Sequence, residues 1–210
     1  LHLSTAEEVD IIRKYKDTNL ITAETTPQHL LLHAPEIYEE IGAFAQMNPP
    51  IREKYHKKGL WEGLLDGTIN CIATDHAPHT IEEKKLPFGQ SPAGMPGVET
   101  SLPLMLNHTH KSDIDIKHIV KWMCENPAKI YNIKNKGYLR EGYDADITLV
   151  DLNKEKVVSG KNMQSKCGWS AFDGKTLKGW PVMTIVNGNV VFENEQINDK
   201  IKGKKVIFDE

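Results

Sequence analysis

Ile69-Asn70-Cys71-Ile72-Ala73-Thr74-Asp75-His76-Ala77-Pro78-His79 is a short apolar run that stops abruptly in a carboxylate, two imidazoles and a proline. An apolar run of this length, bounded by turn residues, predicts a strand buried on both faces. Upstream of it, Leu60, Trp61, Leu64 and Leu65 form a helical stripe that stops at Gly67, a good residue just past a helix end. Residues 20–24 form a second short apolar run, bounded by Asp17-Thr18-Asn19 and Pro27. Ahead of that, Ser4-Thr5-Ala6-Glu7-Glu8 offers two capping boxes, Ser4 with Glu7 or Thr5 with Glu8, for a helix over residues 5–17. Downstream, helices are expected near 100–110 and over 114–131, the second with Ile116, Ile119, Val120 and Met123 on one face. Strands alternating with helices predict parallel βαβ units, here of the length found in barrel repeats. The fold class is therefore α/β.

After Gly137 the texture changes to short alternating strands at 146–152, 182–187 and 189–193, the last two joined by Asn187-Gly188, a strong hairpin signal. Two domains are expected: an α/β portion over 1–136 and a small β module over 137–210.

Composition narrows the classes of function. With 26 Lys and Arg against 29 Asp and Glu, the formal charge is −3, and no basic stripe interleaved with aromatics is present to track phosphates. Nucleic acid is not an expected partner. No apolar run approaches the roughly 20 residues a membrane span needs, so no membrane partner is expected either. Cys71, Cys124 and Cys167 lie far apart, forming neither a metal knuckle nor a disulfide framework, and a reducing cytoplasm is the expected compartment. The first residue is Leu1, and the chain opens on what reads as a strand end, so residues are expected to precede it.

Asp75 sits at the C-terminal tip of a buried strand, and in a parallel barrel that rim is where active sites assemble. His2, just ahead of the Ser4/Thr5 cap, is expected at the same rim. One imidazole and one carboxylate suit part of a zinc site, although a catalytic zinc usually needs three protein ligands. The alternative is that Asp75 caps a turn and the histidines are surface residues. Met47-Asn48-Pro49-Pro50-Ile51-Arg52 is a loop held extended by its prolines, able to present the Asn48 amide to a ligand or simply to punctuate the chain. Pro92-Ala93-Gly94-Met95-Pro96-Gly97 is a second stiffened loop, whose small residues allow close approach to its backbone. His29 reads as a packing or hydrogen-bonding residue.

Taken in order, His2-Leu3-Ser4-Thr5, Glu24-Thr25-Thr26-Pro27-Gln28-His29-Leu30, Met47 to Arg52, Gly63-Leu64-Leu65-Asp66-Gly67-Thr68-Ile69 and Ala73 to His79 resemble the last three barrel strands of class I dihydroorotases. Pro96-Gly97-Val98-Glu99-Thr100, Asn126-Pro127-Ala128-Lys129, Gly142-Tyr143-Asp144-Ala145-Asp146-Ile147 and Val186-Asn187-Gly188 continue the series over nearly the whole chain. The resemblance implies strands six to eight of a (β/α)8 barrel plus part of a composite β-sandwich. It implies His2 as the strand-six metal ligand and Asp75 as both metal contact and general acid/base. Asn48, His79 and the backbone at Ala93 and Gly94 would surround the substrate. The implied reaction is the reversible cyclisation of N-carbamoyl-L-aspartate to L-dihydroorotate in pyrimidine synthesis, with two zinc ions in the complete protein. A homodimer or an association with aspartate transcarbamoylase would be in keeping with it.

The family's His-x-His pair, bridging carboxylate and strand-five His have no counterpart here, so this chain alone is expected to be an incomplete and inactive enzyme. At roughly 30 residues per βα unit, about 150 residues of barrel would lie elsewhere. Gln28 stands where a second His is common, and the 92–97 loop is closer to allantoinase-like forms. An allantoinase or hydantoinase-like cyclic amidase, or a non-catalytic homologue serving as a structural partner of aspartate transcarbamoylase, are the competing expectations.

Overall fold

The computed structural model describes residues 1–18 and 20–209. Asn19, the last residue of the turn expected before the first strand, lies outside the described residues. Contacts divide the chain into two compact units, Leu1–Ser101 with Val157–Lys175, and Leu102–Lys156 with the residues from Thr176 onward. The sequence division at 136 and 137 follows texture, whereas these contacts group residues 157–175 with the first hundred.

In the first unit, β1 (Glu24–Thr25) and β2 (Cys71–Ile72) pair in parallel, with Glu24 opposite Cys71 and Thr25 opposite Ile72. Backbone bonds extend the ladder at both ends, from Asn70 N–H to Ala23 O at 2.8 Å and from Ala73 N–H to Thr25 O at 3.0 Å. The segment before the first helix runs beside β1: Leu3 N–H donates to Glu24 O, and the Thr25 hydroxyl donates to Leu3 O, both at 2.8 Å. Three chain segments thus lie side by side, and the residues that leave them emerge together.

The helices explain why those segments hold their places. For α1 (Ala6–Arg13), the Thr5/Glu8 alternative is the one formed: Thr5 accepts from Glu8 N–H while the Glu8 carboxylate accepts from Thr5 N–H. These bonds hold the Glu8 carboxyl below the ordinary range, against the opposing and largest effect of burial. α2 (Pro27–Leu31) starts on Thr26 with Pro27 in its first turn, where the missing N–H costs nothing. α3 (Glu36–Ile41) and α4 (Lys54–Leu65) follow, and α4 packs on α1 around Val9, Leu60, Leu64 and Ile69, all buried. Each such side chain contributes about 1.5–3 kcal/mol by leaving water. α5 (Ile81–Lys84) opens on a second capping box, Thr80 with Glu83, directly after the histidine-rich loop.

In the second unit, α6 (Ser101–Thr109) buries Leu104, Met105 and Leu106. α7 (Ile116–Val120) continues through a wide π turn at Lys121–Glu125 into α8 (Asn126–Ile130). The helical run expected over 114–131 is present, with its irregular turn just ahead of Pro127, which lacks the N–H a regular turn would use. A four-stranded sheet has the order β3 (Ile147–Val157), β4 (Thr176–Val186), β5 (Asn189–Glu193), β6 (Gln196–Ile197). Asn187 and Gly188 both adopt positive φ, 49° and 78°, the backbone of the tight hairpin turn between β4 and β5. Among the described residues, no helix is long and apolar enough to cross a membrane.

Candidate active site

All six residues singled out from the sequence lie in the first unit. His2 and Asp75 leave neighbouring segments at the end toward which β1 and β2 run, and both adopt the left-handed backbone, with φ of 51° and 43°. For residues other than glycine this conformation costs about 1 kcal/mol or more, and it concentrates at functional sites. It brings His2 Nε2 to 3.8 Å from Asp75 Oδ1, with the two side chains 21% and 30% exposed. That separation is too wide for a direct hydrogen bond.

The other imidazole nitrogen of His2 lies 2.9 Å from Glu24 Oε1, close enough for ion pairing but out of line for a hydrogen bond. A carboxylate beside one imidazole nitrogen leaves the second free to face a ligand, which is how ligating histidines are usually oriented. Glu24 was not singled out from the sequence, although a carboxylate closing a buried apolar run was a signal that could have found it. Cys71, opposite Glu24 in the ladder, is excluded as a thiolate: burial, and then the Glu24 charge, push its pKa up to about 11.

His29 is buried and behaves as the hydrogen-bonding residue expected. Its Nε2 donates to Pro49 O at 2.9 Å, and the Thr26 hydroxyl donates to Nδ1 at 2.8 Å. Burial is the main reason its pKa is lowered, so it stands as a neutral ring. The bond to Pro49 fixes the loop that carries Asn48, whose neighbour Met47 is almost fully buried while Asn48 itself is exposed. Asn48 thus projects from a stretch anchored on both sides.

The loops after β2 and at 92–97 hold each other. His76 Nδ1 accepts from the amides of Gly97 and Val98, and Ala77 N–H donates to Met95 O at 3.0 Å. His79 Nε2 donates to Ala93 O at 3.1 Å, while Gly94 N–H donates to Gln46 O at 2.9 Å. Two of the backbone groups expected to face a ligand, Ala93 O and Gly94 N–H, are therefore engaged within the protein. Among the described residues His79 Nδ1 makes no hydrogen bond, and it is the atom free to meet a ligand. Gly94 has φ of 142°, and a Cβ there would lie 2.5 Å from Ala77 Cβ and 3.2 Å from His79 Cδ2. Trp169 and Lys84, which support this loop pair, gave no signal in the sequence.

Imidazole nitrogen and carboxylate oxygen are the donor set zinc takes, and a 3.8 Å gap between His2 and Asp75 fits two groups sharing an ion rather than each other. Among the described residues, no group of three or more His, Cys, Asp or Glu is placed to hold a metal ion. The residues present therefore fit part of a metal site.

This geometry agrees with what the chain resembles in sequence. Residues 2–191 match the Amidohydrolase family, and the chain belongs to that family, whose members generally use a metal. Within it, the dihydroorotase of Halalkalibacterium halodurans is 42% identical over 198 residues, which cover 93% of this chain and 46% of that protein. The dihydroorotase of Bacillus pumilus is 43% identical over the same shares, and that of Halobacterium salinarum is 36% identical over 94% of this chain and 45% of its own. Among solved structures, the L-hydantoinase of Arthrobacter aurescens superposes with a TM-score of 0.90 at 33% identity, over 98% of this chain and 47% of that one. The dihydropyrimidinase of Brevibacillus agri gives 0.86 at 26% identity, over 93% and 44%. These neighbours indicate a TIM-barrel-type α/β fold. The chain spans about half the length of the curated relatives it matches.

Proposed function

We propose that this chain is the C-terminal part of a dihydroorotase, which interconverts N-carbamoyl-L-aspartate and L-dihydroorotate in pyrimidine synthesis. In this reading residues 1–136 supply strands six to eight of the barrel and residues 137–210 part of the β-sandwich. The observation that carries it is the approach of His2 Nε2 to Asp75 Oδ1, 3.8 Å apart beyond the ends of parallel strands, where barrel enzymes assemble their sites.

His2 and Asp75 would hold zinc, with further ligands, and a second ion, supplied from outside this chain. When bound, the metal supplies Lewis-acid polarisation of the amide carbonyl and a nucleophilic water near neutral pH. Asp75 takes the proton of the attacking water and delivers it to the departing ring nitrogen. The Asn48 amide donates to a substrate carboxylate, His79 Nδ1 accepts from a substrate N–H while Nε2 donates to Ala93 O, and the 92–97 loop closes the pocket with the backbone of Ala93 and Gly94. The three cysteines are free, which suits a reducing cytoplasm. A homodimer or a complex with aspartate transcarbamoylase remains part of this proposal for the complete protein.

One observation favours a second reading, a hydantoinase-like cyclic amidase: the superposition on the L-hydantoinase at a TM-score of 0.90. The deciding experiment assays the complete, zinc-loaded protein on dihydroorotate and on a hydantoin bearing an apolar side chain. Turnover of dihydroorotate alone is expected. Preference for the hydantoin would replace the first reading with the second, and the 210-residue chain by itself is expected to turn over neither.

A further inference from the structure

Lys84, the last residue of α5, is completely buried. Its ammonium donates to Gln46 O at 3.0 Å and to Pro92 O at 2.8 Å, and lies 5.8 Å from the centroid of the Trp169 ring. Among the described residues no carboxylate pairs with it, and burial pushes its pKa down to about 8. A buried cation satisfied only by carbonyls and a ring face is costly to keep, since an apolar side chain of the same length would avoid the desolvation.

The two carbonyls explain what the cation is for. Gln46 stands two residues ahead of Asn48, and Pro92 immediately precedes Ala93 and Gly94. Three more bonds join the same segments: Gly94 N–H to Gln46 O at 2.9 Å, Gln46 Nε2 to Ser91 O at 2.6 Å, and Gly89 N–H to Gln46 Oε1 at 2.8 Å. Gln46 O accepts from Lys84 and Gly94 together, so the ammonium sits where the two loops meet. We infer that Lys84 is a positioning residue, tying the Asn48 loop to the Ala93–Gly94 loop and so setting the spacing of the two walls of the substrate pocket. This rests on the reading of those loops as substrate-facing. Lys84 touches no reacting atom. Its action is on where Asn48 and His79, through Ala93 O, stand relative to each other.

The test uses the complete, zinc-loaded protein and its Lys84→Met variant, which keeps the length of the side chain and removes the donors. Steady-state kinetics on dihydroorotate, metal analysis and amide hydrogen exchange are measured on both. Loss of two hydrogen bonds at the junction is expected to raise KM about ten-fold or more, with kcat within about three-fold and zinc content unchanged. Exchange at Gly89, Ser91 and Gly94 should quicken without a matching change in α1 and α4. Unchanged KM, unchanged local exchange, or a fall in kcat at constant KM would overturn the inference. Should Lys84→Met not fold, Lys84→Gln decides, because its shorter, neutral side chain avoids an unpaired charge yet cannot span both the Gln46 and Pro92 carbonyls. The same rise in KM and quickened exchange supports the inference, and parent-like values sink it. Exchange is read without substrate, so a complete protein inactive on dihydroorotate would defeat the functional reading while exchange still decides the tie.

Discussion

The indole nitrogen of Trp169 donates a 2.8 Å hydrogen bond to the carbonyl oxygen of His79, 90 positions earlier in the chain. The same indole meets Phe44 edge-on, with ring centroids 5.0 Å apart. Residues 157–175 therefore reach the loop that carries His79 and hold it from behind. Trp169→Phe is expected to keep much of the packing and lose the bond, at a cost of about 0.5–1.5 kcal/mol in stability. In the complete protein kcat/KM should fall several-fold with zinc content unchanged. Thermal unfolding beside kinetics checks this, and parent-like kcat/KM would mean the bond has no bearing on substrate.

Asp75→Asn is expected to remove turnover while leaving the fold intact. The amide matches the carboxylate in size but cannot take a proton from water, and general-base catalysis typically contributes about 100-fold to 10,000-fold. Circular dichroism, metal analysis and initial rates on the complete protein test it. Near-normal turnover with metal retained would place the base elsewhere.

His79→Ala and Asn48→Ala are expected to weaken substrate handling and leave zinc content near the parent value. His79 is engaged through Nε2 with Ala93 O, and Asn48 projects from an anchored loop, so both can border a metal without ligating it. Losing one hydrogen bond to the substrate costs about 0.5–1.5 kcal/mol where the partner is neutral and about 1.5–3 kcal/mol where it is charged, or up to roughly two decades in kcat/KM. Zinc lost in proportion to activity would make either residue a ligand or a ligand's support.

Glu24→Gln addresses the metal without relying on activity. The amide keeps the volume next to His2 but not the charge 2.9 Å from Nδ1. Outer partners of this kind typically account for about 10-fold to 100-fold in metal affinity. Competition with a chelator in the complete protein should register that loss, and parent-like affinity would mean Glu24 does not orient His2.

Lys84 gives a prediction about pH. Its pKa is lowered to about 8 in the folded protein, below the ordinary lysine value of about 10.4. Between these values the unfolded chain holds more protons than the folded one, so this group's contribution to stability rises with pH across that window. It is least favourable below pH 8. Denaturant unfolding from pH 7.5 to 10 should show the parent gaining stability relative to Lys84→Met, and parallel curves would contradict the lowered value.

Much of the local structure was legible because it depends on neighbours in sequence. The Thr5/Glu8 capping box, the stop at Gly67 and the Asn187-Gly188 turn are all formed by residues within a few positions of one another. Strand limits were less legible. The apolar run at 20–24 enters the ladder only at its end, with Leu20 87% exposed, because periodicity reports apolar character and not which residues find a partner. Asp75 could be expected at a strand end from its position after an apolar run, and His2 from its position just ahead of the Ser4/Thr5 cap. Glu24 beside His2, Lys84 between two loops and Trp169 behind His79 are pairings set by tertiary packing, and no period in the sequence encodes them.

Gly94 carries a consequence for anyone altering the 92–97 loop. With φ of 142° and Ala77 Cβ 2.5 Å from where its own Cβ would stand, any side chain at 94 collides before it can reach a ligand. Libraries that randomise the loop are expected to be strongly enriched in glycine at that position, whatever substrate is used for selection. Under the proposed function, variation in specificity would have to be sought at Asn48 or Ala93, and a protein evolving toward a bulkier ring would have to reshape its site around a loop position fixed by Ala77.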